Sequence, residues 1–293
     1  MSTSPSICLV MPYFGKWPFW MPFFLQSCRF NPSVDWLFYT DCEPLGDCPA
    51  NVRVVRMSFN DYCRKVSAKL DIHFMPTKAY KLCDIRPALG LIHEDVLQGY
   101  DFWGFGDIDL VYGDLRAYFT NERLQEHDLY STHARRISGH LCLIRNTLRM
   151  REAFKRIPSW QERFCDEKHQ ALDEGAFTRI FLRNKNLPLI LQRLIGTVFN
   201  PWYRRSEFIE AYSTPYARIA WVDGSRDFPD RWLWAGGKLT NNLNGDREFP
   251  YFHFIVWKKH AWEKLEADKL SASSRFAGSS SWSISEQGFE CEH

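Results

Sequence analysis

No stretch of this 293-residue chain approaches the ~18 consecutive apolar residues of a membrane-spanning helix. No basic segment followed by an apolar run stands at its start. The expectation is a cytoplasmic protein, at most peripheral at the inner face of the cell membrane. There is no P-loop, no Gly-x-Gly-x-x-Gly after a strand and no Gly-x-Ser-x-Gly. Phosphate loops, dinucleotide folds and hydrolase elbows of the usual kinds are thereby excluded. Internal repeats are lacking. Charge of either sign is not in excess, with 37 Lys and Arg against 35 Asp and Glu, so there is no electrostatic footprint for nucleic acid. Nine cysteines is an odd number, and none form Cys-x-x-Cys. Cys8, Cys42, Cys83 and Cys142 sit in apolar segments and read as buried thiols of a reducing compartment.

What the chain has in quantity is aromatic residues, including 12 Trp and 23 Phe, enough for sugar-stacking platforms or simply for an aromatic core. The richest run is Asp101-Phe-Trp-Gly-Phe-Gly-Asp-Ile-Asp-Leu-Val-Tyr-Gly113. In a strand, alternate side chains share a face, so Asp107 and Asp109 would point the same way with Ile108 behind them. Carboxylates that close repel unless a proton or cation lies between them. A hard divalent ion, Mn²⁺ or Mg²⁺, accepts carboxylate oxygens and keeps positions open for phosphates. Two solvated acids at a strand end would leave the same short pattern. On this reading Asp109→Asn should leave stability nearly intact, since the acids only repel each other.

Around that run the chain reads as α/β. Ser6–Gly15, Val34–Asp41 and Val52–Met57 are apolar strands of a mainly parallel sheet, with a helix starting near Pro18 or Pro22. The aromatic run 17–24 packs on the sheet or touches a membrane. Lys81 and Asp84 are one helical turn apart, an ion pair or a binding pair, and Pro87 forces a break after Arg86. A strand is entered through Ser138, Gly139 and His140. Asp173 and Glu174 stand at a helix start, where negative charge is favourable. Seven basic residues from Arg135 to Arg156 form either a solvated face or a seat for an anionic acceptor. Gly236 and Gly237 turn a hairpin. In a final strand, Tyr251, His253 and Ile255 share a face. Residues 268–293 are rich in Ser and Gly and read as a disordered tail.

Asp101–Gly113 resembles the D-x-D segment of nucleotide-sugar-dependent glycosyltransferases of the GT-A fold. It resembles bacterial enzymes linked to surface polysaccharide synthesis, and is more distantly similar to glycogenin and the lipopolysaccharide galactosyl- and glucosyltransferases. Three further motifs agree in order: Lys81-x-x-Asp84-x-Arg86-Pro87, Asp173-Glu174 and His253-Phe254-x-x-Trp257-Lys258. The resemblance covers roughly residues 5–262. It implies a GT-A-like, Rossmann-type mixed sheet flanked by helices, with a C-terminal hairpin or annex. One domain over 1–267 would bind nucleotide through about 5–115 and acceptor through about 116–262. Asp107, Asp109 and His253 would hold Mn²⁺ or Mg²⁺, with Asp107 and Lys258 on the donor phosphates. Pro12, Tyr13, Phe14, Lys81, Asp84 and Arg86 would line the nucleotide, probed by Asp84→Ala. His140, Asp173 and Glu174 would be catalytic, at the sugar. The partners implied are a nucleotide-sugar donor, a UDP-sugar, and a saccharide or lipid-linked acceptor, in a hexosyl transfer that is retaining by similarity to the glycogenin-like families, or inverting with Asp173 or Glu174 as general base. A nucleotidyl- or phosphoryltransferase and a non-catalytic sugar-binding protein are the alternatives.

Overall fold

The computed structural model describes residues 4–184, 187–216, 219–262 and 279–291. Its centre is a seven-stranded sheet in the order β3-β2-β1-β4-β7-β6-β8. The strands are β1 (Ile7–Pro12), β2 (Val34–Thr40), β3 (Val52–Arg56), β4 (Phe102–Gly106), β6 (Leu129–Ser131), β7 (Leu141–Arg145) and β8 (Ser206–Phe208). The short β5 (Leu110–Tyr112) leaves this sheet. Pairing is parallel along β3-β2-β1-β4 and between β6 and β8, and antiparallel on both sides of β7. The expected mixed α/β architecture, a mostly parallel sheet flanked by helices, is therefore present.

The central strands β1 and β4 are apolar throughout because both faces are covered, whereas the edge strands β3 and β8 carry charged residues. On β1, Cys8 and Val10 join one buried cluster while Ile7, Leu9 and Met11 join the other. Helix α2 (Phe59–Leu70) supplies Tyr62, Cys63 and Val66 to the first, and α1 (Met21–Arg29), with Pro22 in its first turn, supplies Phe24, Leu25 and Cys28 to the second. Gly104 in β4 has neighbours so close that a Cβ would lie 2.4 Å from the Cys142 carbonyl, so the missing side chain admits a backbone, not a ligand.

A second sheet, β10-β9-β12-β13, is built from β9 (Arg231–Ala235), β10 (Lys238–Asn241), β12 (Ser281–Ser285) and β13 (Gly288–Cys291). The hairpin expected at Gly236–Gly237 is there. The expected tail is not: residues 279–291 form β12 and β13, and 268–278 and 292–293 lie outside the described residues. Trp282 and Ile284 are fully buried, and Trp282 stacks on Trp234 at 4.7 Å. Its indole donates to Gln26 Oε1 (2.8 Å), tying the hairpin to α1. Ser281, Ser283 and Ser285 alternate with those apolar residues, a strand pattern that serine-rich composition concealed.

Finally, β11 (Tyr251–His253) pairs antiparallel with β5. The strand expected to run on through Ile255 ends at His253, and Ile255–His260 is helix. No helix among the described residues is long and apolar enough to cross a membrane.

Candidate active site

The chain crosses from β1 outward to β2 and β3, then returns to β4 on β1's other side. In open α/β sheets, ligands gather beyond the strand carboxyl ends at such a switch point. There a cavity of about 750 Å³ opens, walled by Pro12 at the end of β1, by Tyr13 and Phe14 just beyond it, and by Asp107 and Asp109 after β4. The two acids are not within a strand, as the alternation argument expected. They occupy the bend between β4 and β5, whose middle carbonyl, Ile108 O, accepts from the Trp20 indole (2.8 Å). The bend turns both carboxylates to one side, as a strand would.

Two pairings assemble the rest. In the β5–β11 ladder His253 lies opposite Leu110, and Phe254 N donates to Asp109 O (3.2 Å). This sets His253 beside an acid 144 positions earlier in the chain (253 − 109). In the β4–β7 ladder Gly106 lies opposite Leu141, and Asp107 N donates to His140 O (3.3 Å). The His140 and His253 rings then stack at 4.5 Å.

The carboxylate oxygens divide their work. Asp107 Oδ1 accepts from Arg86, and Asp109 Oδ2 accepts from Lys258. The remaining oxygens face His253 Nε2, at 3.9 Å for Asp107 Oδ2 and 3.4 Å for Asp109 Oδ1. One ligand atom from each of the three residues falls within 4.8 Å of the others. His253 Nε2 is buried and makes no hydrogen bond, while Nδ1 lies 3.2 Å from Thr214 Oγ1. If Nδ1–H donates to Thr214, the Nε2 lone pair points at the two acids, the second-shell pattern of ligating histidines. An orphaned imidazole nitrogen facing two carboxylate oxygens fits a hard or borderline divalent cation. Burial works to raise the Asp109 carboxyl, but without a cation the imidazolium form of His253, together with Lys258, holds it well below the usual carboxylate range.

Arg86 links this group to the next. Its Nη1 donates to Gly139 O (3.0 Å) and Asp173 Oδ2 (3.2 Å). Burial pushes the Asp173 carboxyl up to about 6, although Arg86 draws it down. Glu174 accepts from Gly139 N (3.3 Å) and pairs with Arg136 (3.2 Å). A Cβ on Gly139 would meet Arg86, Glu174 and Asp173 at 3.0–3.2 Å, so it is this cluster that needs a glycine there. His140 is held far below its ordinary value by burial first and then by His253, and stands neutral.

All the expected site residues line the cavity except Lys81 and Asp84. Those two are 1 % and 0 % exposed and form the plain ion pair (2.9 Å). Lys81 also donates to Arg163 O and Lys168 O, and Asp84 accepts from Gln170 N and Leu172 N. They fasten the segment before Asp173 and present nothing to a ligand. The basic residues disperse too: Arg145 pairs with Asp128, Lys155 with Glu152, and Arg149 covers Trp202. Of the seven, Arg136 alone lines the cavity. Sequence reasoning missed His133, pushed down to about 3 by burial and nearby arginines, and Glu210, raised by burial. Both face the cavity, and no motif marks either.

The fold and the site together define an α/β protein with a candidate acid–acid–histidine cation-binding group at the switch point of its sheet. The chain belongs to a family of unknown function, DUF6625, whose model matches residues 9–287. Among curated proteins nothing matches the sequence. Among solved structures it is similar to the galactosyltransferase LgtC in complex with donor and acceptor sugar analogs, at 12 % identity and TM-score 0.44, over 92 % of this chain and 95 % of that one. It is also similar to mouse xyloside xylosyltransferase 1, apo form, at 9 % identity and TM-score 0.39, over 72 % of this chain and 87 % of that one.

Proposed function

We propose that this chain is a divalent-metal-dependent, retaining glycosyltransferase of the GT-A type. It would move a sugar from a UDP-sugar to a saccharide or lipid-linked acceptor in surface polysaccharide synthesis. The observation that carries the reading is the convergence of Asp107, Asp109 and the unpartnered His253 Nε2 on one side of the cavity. The resemblance of the Asp101–Gly113 run supports it.

Bound there, Mn²⁺ or Mg²⁺ would supply Lewis-acid charge against the donor diphosphate. Pro12, Tyr13 and Phe14 frame the nucleobase, with Tyr13 stiffened by stacking on Trp17 at 5.4 Å. Lys258 and Arg86 neutralise the outer carboxylate oxygens and add positive charge where the leaving diphosphate forms. Residues 5–115 make the nucleotide side of the domain and 116–262 the acceptor side. In the transfer, the bond from the anomeric carbon to the diphosphate oxygen breaks and one to the acceptor hydroxyl oxygen forms. The hydroxyl proton passes to the departing diphosphate. His140, neutral, hydrogen-bonds the sugar.

Retention is favoured by the state of the two acids. Asp173 uses Oδ2 on Arg86 and Oδ1 on Glu174 N, and Glu174 uses Oε1 on Gly139 N and Oε2 on Arg136. A base for inversion needs an oxygen directed at the acceptor hydroxyl, and these four are directed at protein groups. Asp173 and Glu174 instead hold Arg86, Arg136 and the Gly139 backbone in place around the sugar.

The test is hydrolysis and transfer from a panel of nucleotide sugars with Mn²⁺, with Mg²⁺ and with excess chelator. Turnover of a UDP-sugar that chelator abolishes and metal restores is expected. Undiminished turnover in chelator, or none with any donor, would overturn the reading.

A further inference from the structure

Between Glu174 and Glu207 the chain has no acidic residue, yet it carries Arg179, Arg183, Lys185, Arg193, Arg204 and Arg205. Within this stretch lies the helix Leu189–Phe199, which is built inside out. Of its polar residues Arg193 and Thr197 are exposed, while Gln192 faces the protein, 2 % exposed and donating to Arg183 O (3.0 Å). Asn200, just past its end, is 6 % exposed and donates to Ile180 O and Phe181 O. On this inner side Gly196 meets the Tyr203 ring, where a Cβ would come within 2.6 Å.

The open face is apolar. Ile190, Leu194 and Val198 form one i,i+4 row at 75, 58 and 64 % exposure, and Leu191, Ile195 and Phe199 a second at 48, 36 and 78 %. Helices on a soluble surface turn such a stripe inward. A contiguous apolar patch of this kind marks a place where another phase or molecule sits. Around it, Arg179, Arg183, Arg193 and Arg204 are exposed and make no ion pair with a described carboxylate, whereas Arg205 is held by Asp128.

An apolar stripe bordered by cations with no acid among them complements an anionic bilayer surface. A second copy of the chain would set these cations against their own kind. We propose that the Leu189–Phe199 helix lies in the headgroup layer of an anionic lipid membrane. Its two apolar rows enter the acyl boundary and the flanking arginines engage lipid phosphates. The aromatic run 17–24 is not the membrane contact: Phe19 and Trp20 are packed against Trp262. The docking is independent of the transfer chemistry, and its test uses neither donor nor metal.

The full chain is sedimented with vesicles of phosphatidylcholine alone and of equal parts phosphatidylcholine and phosphatidylglycerol. Binding to the mixed vesicles is expected, weakened by salt and far weaker on phosphatidylcholine. Leu194→Asp with Val198→Asp should abolish it. Arg193→Gln with Arg204→Gln, which leaves the apolar rows intact, should weaken it about fivefold for each arginine neutralised. Circular dichroism confirms that each variant is folded, and the arginine pair carries the test should the aspartates unfold the chain. Three results would overturn the proposal: no binding to the mixed vesicles, equal binding to both kinds, or undiminished binding by the folded variants. A wild-type dimer in sedimentation velocity that Leu194→Asp with Val198→Asp dissolves would assign the helix to a second copy instead.

Discussion

Replacing Asp109 by Asn separates the cation site from the packing around it. The Asp109 side chain is 6 % exposed and holds Lys258, whose side chain is 32 % exposed, while its other oxygen faces His253. A mutual-repulsion argument on the two acids alone expects this change to leave stability intact, but each acid already has its own cation, Arg86 on Asp107 and Lys258 on Asp109. Breaking a fully buried pair costs about 3–5 kcal/mol, and a surface pair is worth about 0–1. Lys258 can swing toward solvent, so the cost should fall between them, about 2 kcal/mol. Because the folded-state pKa of Asp109 lies below its unfolded value, that contribution is present above about pH 4 and lost as pH falls further. Urea unfolding at pH 7 and pH 3 reads it directly, with a larger gap between wild type and Asp109→Asn at pH 7. Calorimetric titration with Mn²⁺ reads the other half. Loss of one of three ligands should weaken the ion by at least about a hundredfold, more than a second-shell change achieves. Wild-type affinity in the folded variant would refute the placement of the site, and unchanged stability would refute the pairing.

Other expectations follow from the same geometry. Thr214→Val should lower Mn²⁺ affinity by about tenfold with little change in stability, because Thr214 holds His253 Nδ1 and no ligand atom; equal affinity in titration would show that His253 needs no such support. Asp84→Ala should cost about 3–5 kcal/mol in urea unfolding, since it strands a buried Lys81, and should leave the donor KM within about twofold; a large KM effect in a stable variant would restore Asp84 to the binding site. Asp173, with its carboxyl pushed up to about 6, binds a proton in the folded state before the unfolded chain does, so its charge costs nothing near pH 4 and about 3 kcal/mol above pH 6. Wild type should therefore lose stability relative to Asp173→Asn as pH rises through that window, and parallel unfolding curves would contradict the burial argument. Trp282→Ala should destabilise by about 4 kcal/mol in the same assay, where a disordered tail would show no effect.

Local chemistry was legible wherever one segment carries its own pattern. The apolar runs of β1, β2 and β4 announced a sheet buried on both faces, and Asp107-Ile108-Asp109 announced carboxylates turned to one side. Pro18 or Pro22 marked the start of a helix, which the structure gives to Pro22, and the Gly236–Gly237 pair marked the turn of a hairpin. Motif order alone nominated His253 and Arg86, since a resemblance in spacing can mark residues before their contacts are known. Partner choice was not legible. Lys81 and Asp84 make an ion pair in any helix, and only the approach of residues 163–172, with their carbonyl and amide groups, turns that pair inward and structural. Composition concealed β12 because serine spaces its buried Trp282 and Ile284, and the strand becomes one only against Trp234 and α1. The helix Leu189–Phe199 has an amphipathic sequence, but which side faces water depends on whether the body offers its apolar stripe a place to bury or its Gln192 and Asn200 a carbonyl to bind. The sequence by itself determined the sheet, the acids and the order of the motifs, because these rest on periodicity and residue type within a few neighbours. The register of β11 on β5, which sets His253 beside Asp109, was decided by tertiary structure alone, because that pairing is selected by the packing of two distant strands and by nothing local to either.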